Sequence, residues 1–377
     1  MEQQLSQNEA AVLAELECRG PLTRTALAAQ SGLPRTTVAG LIARLIDHGL
    51  IVEREALPSG VGRPPRQLTL AEPPRVVGVV SGGEAAGSVS LLSLSGELLG
   101  RTSGSAVRKE RDLLDLASLA DELLPAVLQS AGQPADRLAA VVLNVQGPVI
   151  PAQRAGRAAE VAGCHVPVRR ENDANLGALG EAAFGAGRCL DSLIYVKLGR
   201  NVGAGLVVAG RLVRGAAGYA GELAHARARG ETGEGAVCVC GGRGCLATLV
   251  GPSLVEFARR AYAERLALSE VLALAAEHDP GVSRVFSDLG RIIGRPLADL
   301  CTMIDPAAVI VDSTLGSAGE LVLAGIRESI ARHAAPVVAD SVRVIPGELG
   351  EEAEVLGAVA LARSGRLAWS GSHRDIG

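Results

Sequence analysis

Three cysteines crowd into eight residues, Cys238-Val239-Cys240-Gly241-Gly242-Arg243-Gly244-Cys245, and His225 precedes the first of them by thirteen positions. Thiolates are soft ligands and imidazole suits the same metals, so the four side chains can fill the corners of a tetrahedral Cys3His zinc site. All corners would then be protein, which makes the metal a structural clamp and not a Lewis acid. The other reading of these residues is a set of free buried thiols. The chain has seven cysteines, an odd number with three clustered, which argues against a disulfide framework and for metal binding. Cys18, Cys164, Cys189 and Cys301 read as small core residues.

A second set of residues could read double-stranded DNA. Residues 8–50 carry three helical patterns: about Asn8 to Cys18, about Thr23 to Gln30, and a third that begins near Pro34. Proline suits a first helical turn because its missing N–H has no partner there. In the third pattern Val38, Leu41, Ile42, Leu45 and Ile46 form one apolar stripe, which Gly49 closes. The opposite face turns Arg35, Thr36, Thr37, Gly40 and Arg44 to solvent, a mix of phosphate and base-edge donors on a helix short enough for the major groove. Ile51 to Arg54 and Gln67 to Leu70 can pair as strands, which puts Arg63 and Arg66 on a wing. From Arg19 to Arg66 seven arginines face Asp47, Glu53 and Glu55, while the first 18 residues add four glutamates, so the module is locally basic and nearly neutral as a whole. The other reading is a bundle and hairpin that mediate protein contacts.

These groups need scaffolds, and 377 residues with 48% hydrophobic content can bury a large core spread over two or three domains. No run of eighteen apolar residues occurs, and the opening MEQQLSQNEA lacks the basic-then-apolar pattern of a secretory signal, so a cytoplasmic protein away from membranes is expected. The net charge of −4 decides nothing about DNA, which requires local positive charge. Only Lys109 and Lys197 are lysines, a compositional bias. The expected organisation is a winged helix-turn-helix over 1–70, a proline-stiffened linker over 71–75, an α/β body over 76–366 and a tail over 367–377. Strand signals at Val76 to Val80, Ser88 to Leu94 and Glu97 to Arg101 give the body a β-meander opening, followed by a helix over 111–130 and a strand at Ala139 to Val145. Strands at Ser192 to Leu198 and Gly203 to Val208 begin a second α/β half.

The runs ENDANLGALGEAAFGAGR, GAGLVVAGRLVRGAAGYAGELAH and CVCGGRGC, in this order, resemble the ROK family of sugar kinases and sugar-responsive repressors, over about Val76 to Arg366. The resemblance implies an actin-like, ribonuclease-H-like ATPase-type fold with two lobes, and a homodimer or homotetramer. It also implies that Asn172, Asp173, Glu222 and His225 hydrogen-bond a sugar or sugar phosphate, with His225 doing so while it holds the metal. Asp173 matches the catalytic base of the family's kinases; a carboxylate there can accept a hydroxyl proton, and it can equally cap the helix that follows.

The phosphate side departs from the family. Val80-Ser81-Gly82-Gly83-Glu84-Ala85 stands where the family has Asp-x-Gly-Gly-Thr-Lys or similar, which brings a carboxylate toward any polyphosphate. Gly199-Arg200-Asn201-Val202-Gly203 replaces Gly-Thr-Gly-x-Gly, and Val309-Ile310-Val311-Asp312-Ser313-Thr314 lacks the usual glycine pair. On the sugar side Ala247 replaces a family glutamate, and Ala224 a glycine. Phosphoryl transfer depends on positioning and charge neutralisation, so ATP and Mg2+ are not expected and no catalytic residue is assigned. The expected function is a sugar-sensing transcriptional regulator, a repressor acting on a DNA operator. The rivals are an active sugar kinase with an appended DNA reader and a ligand-blind DNA-binding oligomer.

Overall fold

Ser6 opens the first helix, α1 (Gln7–Arg19), with a reciprocal cap: its hydroxyl accepts from the Glu9 N–H at 3.3 Å, and the Glu9 carboxylate accepts from the Ser6 N–H at 2.8 Å. The computed structural model describes residues 6–19, 21–31, 33–55, 66–71, 75–82, 86–105, 113–154, 159–161, 164–198, 202–227, 236–250 and 268–367. Helix α2 (Arg24–Ser31) starts under the Thr23 hydroxyl, which accepts from the Ala26 N–H at 3.1 Å. Helix α3 (Arg35–Asp47) follows Pro34 directly and ends where Gly49 adopts φ 66°, so that the Gly49 N–H reaches the Ile46 carbonyl at 2.9 Å and the Leu50 N–H the Leu45 carbonyl at 2.8 Å.

Val38, Leu41, Ile42 and Leu45 are buried as their spacing predicts, whereas Ile46, at the edge of the stripe, is 37% exposed. Strands β1 (Ile51–Glu55) and β2 (Arg66–Leu70) pair antiparallel from Ile51 opposite Leu70 to Glu55 opposite Arg66, and Leu22 bridges to Leu68. The three helices and the hairpin share one core of Val12, Leu27, Ile42, Leu45, Ile51 and Leu68. This is a winged helix-turn-helix. Arg63 lies outside the described residues, as do residues 72–74 of the expected linker.

The rest of the chain builds two five-stranded sheets. The first uses β3 (Val76–Gly82), β4 (Ala86–Ser93), β5 (Leu98–Ser105), β6 (Leu138–Val145) and β9 (Val168–Asn172) in the order β5-β4-β3-β6-β9. Helix α4 (Leu113–Ser130) leads to β6; the short α5 (Pro151–Arg154) and the hairpin β7 (Ala159–Val161) with β8 (Cys164–Val166) lead to β9. Helix α6 (Asp173–Phe184) follows at once. The second sheet uses β10 (Leu193–Leu198), β11 (Val202–Val208), β12 (Arg211–Val213), β13 (Ala308–Val311) and β14 (Arg343–Pro346) in the order β12-β11-β10-β13-β14. Its helices are α7 (Leu246–Val250), α8 (Leu268–Ala276), α9 (Pro280–Ile304), α10 (Ser317–His333), α11 (Pro336–Ser341) and α12 (Ala353–Leu367).

Each sheet therefore sets its third, second, first, fourth and fifth strands side by side. The meander strands are antiparallel, and β10, β13 and β14 are parallel, so the returns between them need the crossover helices α9 and α10. Ile194, Val196 and Val309 of this sheet join Leu289, Ile293, Val322 and Ile326 of α9 and α10 in one core. The fold is thus the expected α/β one, a winged helix-turn-helix followed by an actin-like body. By compactness the chain divides into two units, residues 1–143, 156–169 and 358–377, and residues 144–155 and 170–357. Among the described residues no helix is long and apolar enough to cross a membrane.

One expectation fails: Cys189 is exposed, sits at φ 65° and is held in a disulfide, so it is not a plain core thiol. Cys301 is buried and free, and burial pushes its thiol up to about 12.

Within the second unit α6 and the start of α12 touch backbone to backbone. A Cβ on Gly357 would stand 1.8 Å from the Leu176 carbonyl oxygen, and one on Gly180 would stand 2.0 Å from that of Ala353. Glu181 of α6 is 1% exposed and accepts from the N–H groups of Ala186 at 2.8 Å and Leu349 at 3.0 Å, which fixes the approach to α12. Gly357→Ala is therefore expected to cost about 1–3 kcal/mol through forced separation of the helices, read as a lower midpoint in denaturant unfolding; an unchanged midpoint would refute the close-contact account.

Candidate ligand corner, metal centre and nucleic-acid face

Strand β9 runs straight into α6, and the junction gathers the chemistry. Asn172, the last residue of β9, is the helix cap: its Oδ1 accepts from the Asn175 N–H at 3.0 Å. Its Nδ2 donates to the Gly147 carbonyl at 3.0 Å and to Asp173 Oδ1 at 2.9 Å. The cap is thus Asn172, and Asp173 holds the first turn, where Oδ1 also accepts from the Ala174 N–H at 2.8 Å. Beneath them Glu171, 3% exposed in its side chain, accepts from Asn175 Nδ2 at 2.9 Å and from Arg214 Nε at 2.7 Å.

The second oxygen of Asp173 is not free. Lys197, on β10, donates its ammonium to Asp173 Oδ2 at 2.7 Å and also meets Glu354 of α12, which in turn accepts from Asn144. Burial by itself would lower the Lys197 pKa; the charges of Asp173 and Glu354 outweigh it, so the pKa is raised and the group stays an ammonium. Glu222 belongs to the same neighbourhood: burial first, and then the Asp173 charge, raise its carboxyl pKa. The turn Leu223–His225 carries the chain onward from Glu222, with the His225 N–H on the Glu222 carbonyl at 3.0 Å.

That turn ends at the cysteines. One donor atom each from His225, Cys238, Cys240 and Cys245 lies within 4.8 Å of all the others. His225 Nδ1 is 3.6 Å from Cys238 Sγ, and Cys240 Sγ is 3.6 Å from Cys245 Sγ. Ligands at 2.0–2.3 Å on a tetrahedral ion stand about 3.5–3.8 Å apart, so the set fits zinc. The loop is a knuckle in which the Cys238 N–H bonds the Gly242 carbonyl at 2.8 Å, the Gly241 N–H bonds the Cys238 carbonyl at 2.9 Å, and Gly241 takes φ 84°. The Gly242 N–H above all, donating to its sulfur, lowers the Cys240 pKa, while burial pushes Cys245 up to about 11. Three thiolates held this close together would need a cation among them.

The profile of the ROK family matches residues 161–364, which include the β9–α6 junction, Lys197 and the whole cysteine knuckle. The chain belongs to the ROK family. A second profile, the IclR helix-turn-helix domain, matches residues 16–55, from α1 to β1. Among ROK relatives, the chain is 29% identical to the "Xylose repressor" of Bacillus subtilis over 193 residues, 51% of this chain and 50% of that protein. It is 36% identical to the "Glucokinase" of Streptomyces coelicolor over 220 residues, 52% of this chain and 68% of that one. The match thus spans about half the length of the repressor. A ROK family transcriptional regulator described as a homolog of E. coli MLC protein superposes over 96% of this chain and 98% of its own with a TM-score of 0.72 at 22% identity, a likeness of fold. A ROK glucokinase from Streptomyces griseus, solved with glucose and AMPPNP, covers 77% and 99% with a TM-score of 0.61 at 26% identity.

On the helix-turn-helix, Arg35, Thr36, Thr37, Gly40 and Arg44 are all exposed along α3. Arg44 has a second attachment: its Nε donates to the buried Glu9 at 2.8 Å. That bond first, and then the Ser6 N–H, lower the Glu9 pKa from 4.5 to about 2. The resulting stability is complete above pH 4.5 and is lost as pH falls through about 2. On the wing, Arg66 approaches Glu53 at 3.8 Å, and Arg24 binds the same carboxylate at 2.9 Å.

Sequence reasoning missed Lys197, Glu354, Glu171 and Arg214 at the ligand corner. One signal was available, since Lys197 is one of two lysines in the chain. Two outcomes follow. Purified protein is expected to carry one tightly bound zinc per chain in elemental analysis, and Cys245→Ser to lose it; metal-free protein of unchanged stability would overturn the knuckle as a metal site. Arg44→Ala leaves Glu9 buried and unpaired and should lower stability, while Arg44→Ala with Glu9→Gln regains it. DNA affinity that stays low in the double variant then reports the lost contact of Arg44 with DNA, and full recovery would make Arg44 purely structural.

Proposed function

We propose that this chain is a sugar-responsive transcriptional regulator, a repressor that binds an operator through its winged helix and senses a sugar in the kinase-like body without phosphorylating it. One observation carries the non-enzymatic half of the reading: the carboxylate at the family's base position is already engaged on both oxygens, Oδ1 with Asn172 and Ala174 and Oδ2 with the Lys197 ammonium. A general base must accept a proton from a substrate hydroxyl, and an ammonium at 2.7 Å competes for the lone pair that would take it. A bound sugar would share the acceptor oxygens of Asn172 and Asp173 with their present partners and find further polar groups in Glu222 and His225, so recognition can outlive catalysis.

The winged helix supports the DNA half. In this reading Arg35, Thr36, Thr37, Gly40 and Arg44 enter the major groove, Arg63 and Arg66 follow the backbone or minor groove, and a homodimer or homotetramer presents paired readers to a pseudo-palindrome. Zinc in the knuckle of His225, Cys238, Cys240 and Cys245 clamps the turn that carries Glu222, so the metal orients the ligand corner and takes no part in bond making. The relative named a xylose repressor supports sugar-responsive repression. The relative named a glucokinase, with higher identity, favours the second reading, an active kinase with a DNA reader attached.

Two measurements separate the readings. Purified zinc-loaded protein with Mg-ATP and a hexose panel should release no ADP above background, and turnover in the ordinary kinase range of roughly 1–100 per second would establish the kinase. Asp173→Ala should bind operator DNA as the wild type does and fail to release it when the sugar is added. An unchanged response to sugar would remove Asp173 from the ligand site.

A further inference from the structure

The cations of the ligand corner are committed: Lys197 to Asp173 and Glu354, and Arg214 to Glu171. Two other guanidinium groups, on the elements that flank the corner, keep nitrogens without a partner. Arg154 ends α5, and its Nε and Nη2 are shielded from solvent with no hydrogen-bond partner among the described residues. Arg170 lies on β9, and its Nε is shielded and without a partner in the same way. Leaving a buried donor unsatisfied costs about 1–3 kcal/mol, and more when the group is charged. Three such nitrogens, with four N–H bonds, on two adjoining elements are what an oxyanion would satisfy, because guanidinium forks match oxyanions in geometry and charge.

Their position relative to the corner is fixed by the strand. Residues two apart on a strand share a face about 6.6 Å apart, so Arg170 stands on the face of Asn172, one step back from the ligand corner. The chain beside them runs in the opposite direction: Asn172 donates to the Gly147 carbonyl at 3.0 Å, and Arg170 donates from Nη1 to the Gln153 carbonyl at 3.4 Å, next to Arg154. The segment from Gly147 to Arg154 thus lines the approach from the sugar-binding amide to the two arginines. The corner itself is acidic, with Asp173, Glu171, Glu222 and Glu354 around two committed cations, so an anion is favoured only at the arginine end.

We propose that Arg154 and Arg170 form an anion subsite that receives the phosphate of a sugar phosphate whose ring hydroxyls meet Asn172 and Asp173. This rests on the sugar-sensing reading above and narrows it to a phosphorylated effector. The three unpartnered nitrogens carry four N–H bonds, and a phosphate offers them three terminal oxygens where a carboxylate offers two.

Isothermal titration of the zinc-loaded full chain tests it, with hexoses and amino hexoses, their 1- and 6-phosphates, hexuronic acids and inorganic phosphate as the probes. The wild type should bind one sugar phosphate at least tenfold more tightly than its neutral parent sugar, the change expected from one charged hydrogen bond. Arg154→Gln and Arg170→Gln should each lose about tenfold toward that phosphate and leave the Kd of the neutral sugar unchanged. Arg154→Lys and Arg170→Lys, which keep the charge without the fork, serve where a glutamine variant does not fold, and should fall between. Neutral sugars bound as tightly as their phosphates, variants that keep the preference, or a uronic acid preferred over every phosphate would each overturn the subsite while the sugar-sensing reading stands. Wild-type protein that binds no sugar, charged or neutral, would overturn both.

Discussion

Helices α6 and α12 approach so closely at Gly180 and Gly357 that no side chain fits between their backbones, and the ligand corner depends on that contact. Helix α6 starts with Asn172 as its cap and Asp173 in its first turn, and α12 starts with Glu354 in its first turn. Seating the two helices against each other brings Asp173 and Glu354 to the same ammonium, that of Lys197. Glu181 braces the arrangement, because its buried carboxylate accepts from the Ala186 N–H just after α6 and from the Glu348 and Leu349 N–H groups in the loop before α12. A glycine contact, a strand-to-helix junction and one lysine thus form a single unit.

That unit is electrostatically demanding. Three carboxylates, of Asp173, Glu171 and Glu354, share two cations, Lys197 and Arg214, in a partly buried space where unpaired charge is costly. Pairing satisfies these groups and also restricts them: a carboxylate that holds an ammonium is a poorer proton acceptor than a free one. In the proposed reading the same residues recognise hydroxyl groups while giving up the role of base. Recognition needs directed donors and acceptors, whereas phosphoryl transfer needs in addition a lone pair left open at the moment of reaction.

The metal knuckle and the ligand corner are joined by five residues of chain, from Gly221 to His225. The Gly221 carbonyl accepts from the Ala204 N–H at 2.9 Å, and a Cβ on Gly221 would stand 2.0 Å from the Ala204 oxygen, so the segment is pressed onto β11 at one end and held by the knuckle at the other. Glu222 lies between these anchors, so a metal held in the knuckle would bear on the position of Glu222 in the proposed ligand site without itself touching a ligand.

The sequence by itself determined the parts whose signals are local. The helix-turn-helix was legible because a 3.6-residue apolar period and the Gly49 terminator act within a few residues, and only Ile46, at the margin of the stripe, came out exposed. The donor set His225, Cys238, Cys240 and Cys245 was legible because ligand type and spacing almost define a tetrahedral site. Tertiary structure alone decided which charges meet. Lys197 lies 24 positions from Asp173, Arg44 lies 35 from Glu9, and Asn144 lies 210 from Glu354, separations at which no periodicity or spacing rule operates. Arg154 and Arg170 likewise read as two more arginines in an arginine-rich chain until the fold buried three of their nitrogens without acceptors. Local pattern fixes what a segment becomes, but ion pairs and orphaned donors arise from packing between segments, where burial, and not sequence distance, sets the energy.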